Sequence, residues 1–344
     1  MEKRTRLSRP TYAFPRPVAR CVARPSKNTG DVAAFSVRPW CPLTPTMISP
    51  RTLLALLFSL APSALIAAQA YPPSFTDARA EVYKTIGDTQ LSLSIFEPPA
   101  AVAKTNRPAI IFFFGGGWTN GSPAQFEQHC RALAARGMVA ITADYRVASR
   151  HQIKPTDCVA DAKSAARWVR ANATRLGIDP QRIAAGGGSA GGHLAAAIAT
   201  VPGFESPGED TKISPLPNAL VLFNPALVLA PLPGLELANV GDRVPAERMG
   251  TDPKNISPAH HVKKGTPPTI IFHGKADTTV PYATAAAFTT VMKAAGNRCE
   301  LVGAEGEKHG YFNYGRGDNA AYRATLAATD AFFVSLGWLK PAAK

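Results

Sequence analysis

The sequence predicts an α/β fold built on a mostly parallel, eight-stranded sheet with helices on both faces. Three observations predict it. From residue 80 onward, short apolar or alternating runs take turns with stretches of helical period, the pattern of strands joined by crossover helices. Several of the short runs are continuously apolar, as strands buried on both faces must be. The densest glycine clusters follow such runs directly, at the edge where open α/β sheets keep their sites.

Residues 80–84 and 91–96 read as two strands joined at Gly87-Asp88, and the alternation of the second suits an antiparallel edge hairpin ended by Pro98-Pro99. Residues 108–114 form an apolar run that leads into Gly115-Gly116-Gly117-Trp118. A helix over 126–137 is closed by glycine, and a strand follows over 139–146. A long helix over 155–176 begins with proline in its first turn, with Asp161, Ala165, Trp168 and Val169 at helical spacing. Residues 182–185 and 194–199 are a short strand and a helix, with the run Gly186 to Gly192 between them. After a loop-like 201–217 comes a buried strand over 219–223. Residues 224–265 are irregular and sit at the strands' C-terminal edge, as a lid, a substrate wall or a plain connection. A strand over 268–273 leads to Gly274-Lys275-Ala276-Asp277. A helix over 282–295, a strand over 299–302 followed by Gly306-Glu307-Lys308-His309-Gly310, and an amphipathic helix over 320–336 complete the chain.

The chain has 344 residues and a formal net charge of +14. The charge is uneven: residues 1–70 hold ten Lys/Arg against Glu2 and Asp31, a net +8, which leaves +6 for the rest. That remainder has no basic run interleaved with aromatics, so no nucleic-acid partner is expected. Residues 1–46 are rich in Arg, Pro and Ser without apolar period and are expected to be a disordered basic leader. At Met47 the pattern changes. Arg51 precedes an apolar run over 53–67, and Ala68-Gln69-Ala70 follows, the three-part layout of a secretory signal peptide. Translation is expected to start at Met47, with 1–46 an upstream in-frame extension. Cleavage after Ala70 would leave residues 71–344 as one secreted or periplasmic catalytic domain with no membrane span. A genuine basic leader or an uncleaved anchor is the alternative. Cys130, Cys158 and Cys299 fall in the mature part. An oxidising compartment permits one disulfide among three, and Cys130 with Cys158, on helices expected to be neighbours, is the favoured pair. No Cys-x-x-Cys or His-x-x-x-His spacing points to a metal, and no cofactor is implied.

Ser189 lies at the centre of Gly187-Gly188-Ser189-Ala190-Gly191, between a strand and a helix. A serine nucleophile needs a sharp turn that lifts its oxygen over the sheet, and crowding there demands glycine. It also needs a base, and the base an orienting acid. Asp277 and His309 each follow a strand, so Ser189 is the expected nucleophile, His309 the base and Asp277 the acid. His193 is the competing base and is better suited to packing. His273 reads as a structural hydrogen-bonder. Asp144 and Asp161 are the competing acids, with Asp144 expected to fix a loop through Arg146. The oxyanion formed during acyl transfer needs N–H donors: Ala190, directly after the nucleophile, and the glycines after the third strand.

In these residues the chain resembles the α/β-hydrolase esterases, most closely the hormone-sensitive-lipase-like and the feruloyl and acetyl-xylan esterase-like branches. The matching pieces are Phe114-Gly115-Gly116-Gly117-Trp118, Asp144-Tyr145-Arg146, Gly187 to His193, Asp277 with Val280-Pro281, and His309-Gly310. The resemblance implies carboxylic-ester hydrolysis with Gly116, Gly117 and Ala190 as oxyanion donors. Phe114 stands where the lipase-like branch usually has histidine, and that branch's N-terminal cap helices are missing or very short. This favours short-acyl esters, including acetylated carbohydrate, as substrates, with Trp118 lining an acyl or sugar pocket. A serine peptidase of prolyl-oligopeptidase type and a non-catalytic binding module are the alternatives; the first usually carries a propeller domain, and none is expected from these residues. Acyl length, alcohol and oligomeric state are not legible.

N-terminal sequencing of exported protein is expected to begin at Tyr71; an intact leader on the exported chain would overturn the cleavage expectation.

Overall fold

The computed structural model describes residues 71–100, 104–233 and 244–342. The leader and signal-peptide expectations over 1–46 and 47–70 lie outside the described residues, as does 234–243 of the irregular insertion. The chain runs through β1 (Arg79–Ile86), β2 (Thr89–Phe96), β3 (Arg107–Phe113), α1 (Glu127–Ala135), β4 (Val139–Ala143), α2 (Pro155–Ala171), β5 (Ile178–Gly188), α3 (Ala190–Thr200), β6 (Ala219–Phe223), β7 (Thr269–Gly274), α4 (Tyr282–Ala294), β8 (Cys299–Ala304) and α5 (Ala320–Ser335). The eight strands lie in the order β1-β2-β4-β3-β5-β6-β7-β8. β1 and β2 form the expected antiparallel hairpin, and β2 joins β4 antiparallel; every later pairing is parallel.

Alternate residues of the central strands enter two separate cores. Ile111 and Phe113 of β3 and Leu220 and Leu222 of β6 face one side, with α2, α3 and α4 packed there. Ile110 and Phe112, and Val221 and Phe223, face the other side, with α1 and α5. The strands are buried on both faces, which is why they read as continuous apolar runs.

Boundaries moved for local reasons. α2 starts on Pro155, with the Asp157 carboxylate accepting from the Lys154 N–H at 3.0 Å. It ends at Ala171, short of the expected 176: the Ala173 N–H bonds Arg170 O, three residues back, at 3.3 Å, and the Asn172 side chain adds a second donor to Trp168 O at 2.9 Å. β5 is longer than its apolar letters suggest: glycine is a poor strand former, yet Gly186 and Gly187 pair with Phe112 and Phe113 of β3.

The expected Cys130–Cys158 disulfide is not formed: both are buried free thiols, as is Cys299. α1 and α2 are neighbours in sequence but cover opposite faces of the sheet, so the sheet itself separates Cys130 from Cys158. No described helix is long and apolar enough to cross a membrane.

One core position is energetically costly. His129 on α1 is 1 % exposed, among the rings of Phe112, Phe126, Phe223, Phe312 and Tyr322, and neither ring nitrogen has a hydrogen-bond partner among the described residues. Burial pushes its pKa down to about 3. The unfolded chain, with an ordinary histidine pKa, therefore binds a proton before the folded one does. Stability is complete above about pH 6.5 and is lost as pH falls toward 3. His129→Leu is expected to raise stability at neutral pH and to lose about 2 kcal/mol less than the parent between pH 7 and pH 5, as read from urea melts. Equal losses in the two proteins would show that His129 is not the acid-sensitive group.

Candidate active site

The strand order places β3 and β5 side by side, with their helices on opposite faces, so a crevice opens beyond their C-terminal ends. Ser189 stands at the end of β5 with φ 54° and ψ −116°. Such angles cost a non-glycine residue on the order of 1–3 kcal/mol. The turn is held by its neighbours: Ser189 N donates to Phe223 O at 2.8 Å, and Ser189 O accepts from the His193 N–H at 3.0 Å. Gly191 lets the start of α3 press against the end of β3, since a Cβ there would overlap the carbonyl oxygens of Phe113 and Phe114. Ala190 is the first residue of α3, and its N–H has no acceptor within the helix.

Across the crevice, the loop after β3 turns through Gly116 at φ 128° and Gly117 at φ 62°. Gly116 O accepts from the N–H of Thr119 and of Asn120 at 3.1 and 3.0 Å, which closes the turn. Gly115 N–H donates to Gln125 Oε1 at 2.6 Å, which removes it from the possible oxyanion donors. Gln125 was not legible as a site residue in sequence. Its Nε2 donates to Asn313 Oδ1 at 2.9 Å, Asn313 Nδ2 donates to Gly310 O at 2.9 Å, and Gly310 N–H donates to Asn224 Oδ1 at 3.1 Å. This chain of amides ties the glycine loop to the residue after His309.

Asp277 follows β7 and His309 follows β8. His309 Nδ1 and Asp277 Oδ2 are 2.7 Å apart. Asp277 Oδ1 accepts from the N–H groups of Thr279 and Val280, both at 2.9 Å. His273 Nε2 donates to Val280 O at 2.8 Å and stands 3.3 Å from Asp277 Oδ2. Burial would raise the Asp277 pKa, but the hydrogen bonds from His273, His309 and Val280 outweigh it and hold the carboxyl well below the usual range. Asp277 is thus an ionised acceptor aimed at one imidazole nitrogen.

Ser189, Ala190, Gly117 and Trp118 line one cavity of about 380 Å³, walled by Val228, Leu229, Val244 and the Thr279–Pro281 turn that follows Asp277. Gly116 borders a second cavity instead. The described part of the insertion therefore forms one wall of this cavity. It also supplies Arg248, whose Nη2 donates to Gly117 O at 3.0 Å and whose guanidinium lies 5.7 Å from the Trp118 ring centre. No spacing in the sequence points to Arg248, since nothing local connects it to residue 117.

The competing residues are otherwise committed. Trp118 Nε1–H donates to His193 Nδ1 at 3.2 Å, and His193 Nε2 bonds Ile256 O at 2.7 Å. An indole only donates and a carbonyl only accepts, so His193 is the neutral Nε2–H tautomer with its lone pair occupied. Burial pushes its pKa down to about 4. Asp144 does not pair with Arg146 as expected: it accepts from the Tyr71 hydroxyl and from the Tyr145 N–H. Arg146 instead grips Asp161 at 2.8 Å, because that carboxylate on α2 is fully buried and already faces Lys84. Among the described residues no group of three His, Cys, Asp or Glu converges as a metal site.

A family model described as the alpha/beta hydrolase fold matches residues 110–313. Among solved structures, the chain is similar to esterase 2 of Thermogutta terrifontis: native, 54 % identical with a TM-score of 0.75 over 80 % of this chain and 98 % of that one. Similar matches are its propionate-bound form, at 54 % and 0.75 over 80 % and 100 %, and a form phosphonylated by sarin, at 53 % and 0.76 over 79 % and 100 %. Among curated proteins it is 29 % identical to the carboxylesterase NlhH of Mycobacterium tuberculosis over 70 % of this chain and 76 % of the relative.

Gln125→Leu leaves the Gly115 N–H and the Asn313 amide without their partners. It is expected to lower kcat on a small ester roughly tenfold with KM within about twofold, since it disturbs the loop and not the cavity that holds Ser189. An unchanged kcat would show that the amide chain does not position the loop.

Proposed function

The chain belongs to the α/β-hydrolase fold family and is an ester-hydrolysing enzyme, and on that premise we propose that it is a serine carboxylesterase acting on short-acyl esters through an acyl-enzyme. The observation that carries the reading is a serine in a strained elbow at the end of β5 that shares a cavity with Gly117 and with the turn after Asp277, whose carboxylate lies 2.7 Å from His309. In this mechanism His309 takes the Ser189 proton as Oγ attacks the ester carbonyl carbon. The carbonyl oxygen becomes an oxyanion that accepts from the N–H groups of Gly116, Gly117 and Ala190, each worth on the order of 3 kcal/mol. The carbon–oxygen bond to the alcohol then breaks as His309 returns the proton to the leaving oxygen. Water, deprotonated by His309, attacks the acyl-Ser189 carbonyl; the bond from the carbonyl carbon to Oγ then breaks as His309 returns the proton to Oγ, which releases the acid and restores the serine. Asp277 keeps the imidazole in the required tautomer throughout.

Short acyl groups are favoured by the apolar walls and the volume of about 380 Å³ beside Ser189. The Thermogutta relative binds propionate and butyrate and reacts with sarin and paraoxon, organophosphates of the kind that trap activated serines. Acetylated carbohydrate is included in the proposed substrates, and Trp118 in the wall of the acyl cavity. The signal-like segment 47–70 supports export to the periplasm or medium.

Ser189→Ala is expected to lower kcat/KM on p-nitrophenyl acetate by roughly 10⁴-fold or more, and a fluorophosphonate is expected to add one mass label to the parent protein, at Ser189. Acetate and butyrate esters should outrun octanoate. Full esterase activity in the variant would overturn the serine mechanism, and octanoate preference would overturn the short-acyl assignment.

A further inference from the structure

Beyond the cavity that holds Ser189 lies a second one of about 670 Å³, bordered by Gly116 of the glycine loop and by Ser122, Gln125, Gln128, Asn313 and Tyr314. We propose that this cavity is the site for the alcohol half of the substrate and that its lining selects a sugar. The inference rests on the serine-esterase reading above and extends it to a substrate class.

Position comes first. One wall is the glycine loop and the opposite wall is the segment that follows His309, the group that returns the proton to the leaving oxygen. The nucleophile is close, since a Cβ placed on Gly115 would stand 3.3 Å from Ser189 Cβ and 3.5 Å from Gln125 Oε1. A Cβ on Gly188, one residue before the nucleophile, would stand 3.4 Å from Gln125 Nε2. An ester with its carbonyl oxygen on Gly116 and Gly117 and its acyl chain in the apolar cavity has its alcohol directed here.

Chemistry comes second. The Ser189 cavity is walled by Val, Leu and Trp, whereas this one presents three carboxamides, a hydroxyl, a tyrosine ring and the Glu127 carboxylate, which is paired with Arg131 at 2.8 Å. A sugar hydroxyl both donates and accepts, and a carboxamide offers both roles on one rigid group. Gln125 and Asn313 are already fixed by their bonds to Gly115 N, to each other and to Gly310 O. Each still carries a further N–H and a further acceptor lone pair. Such amides meet a hydroxyl without first losing rotamer freedom. Tyr314 is 54 % exposed and is braced edge-on by Tyr322, with ring centres 5.2 Å apart. An exposed, braced ring suits the C–H face of a pyranose and has no role in the apolar core.

The test compares two acetate esters of equal ring size, a mono-acetylated methyl xyloside and cyclohexyl acetate, with ethyl acetate as a reference too small to fill the cavity. Acetate release by the full chain is expected to favour the sugar ester over cyclohexyl acetate at least tenfold in kcat/KM. Tyr314→Ala and Gln128→Leu, two independent variants, are each expected to cut that preference about fivefold while ethyl acetate turnover stays within twofold. Equal rates on the two ring esters, or a preference that neither variant moves, would overturn the sugar assignment and leave the esterase reading intact. Ethyl acetate turnover that survives Ser189→Ala would overturn the underlying reading instead.

Discussion

At Ser189 the chain passes from β5 into α3 through backbone angles that a non-glycine residue adopts only at a cost, and the neighbouring structure holds it there. Phe223 O takes its N–H, its own carbonyl receives the N–H groups of His193 and Ala226, and α3 rests against the end of β3 because Gly191 has no side chain. The position of the reactive oxygen, the aim of the first amides of α3 and the distance to the glycine loop all follow from that turn. A larger residue at position 191 would push α3 away and change all three together.

Two polar relays fix the parts that the turn alone does not reach. Gln125 and Asn313 connect the glycine loop to the backbone beside His309, so the two loops are set relative to each other by amides in fixed rotamers. On the apolar side, Ile256 O orients His193, and His193 orients the Trp118 indole. The irregular segment after β6 thereby sets the shape of the cavity wall from a distance. The two cavities meet at neighbouring glycines, Gly116 and Gly117, and differ in chemistry because one is walled by the post-β6 segment and the other by the start of α1 and the segment after His309.

The glycine elbow, the loop Gly115 to Gly117 and the two groups after β7 and β8 could be read from sequence because each pairs a local backbone demand with a strand end. The strand lengths were less legible: β5 keeps pairing through Gly186 and Gly187, where local preference opposes it and the facing β3 overrides it. The expected Cys130–Cys158 bond failed because adjacency in sequence says nothing about which face of the sheet a helix takes. The Asp144–Arg146 pairing failed for a related reason. A buried carboxylate fifteen positions on, Asp161, has greater need of the guanidinium than Asp144, which finds Tyr71 and its own loop's N–H.

By itself the sequence determined the eight strands, their mostly parallel arrangement and the residues at their C-terminal edge, because period, glycine and strand end are local signals. Tertiary structure alone decided which distant groups serve those residues. Gln125, Asn313 and Arg248 are ordinary polar letters in the sequence. They become parts of the site because folding carries them to a backbone N–H, another carboxamide or a backbone carbonyl that is distant in sequence, and a polar group takes its partner wherever the fold supplies one.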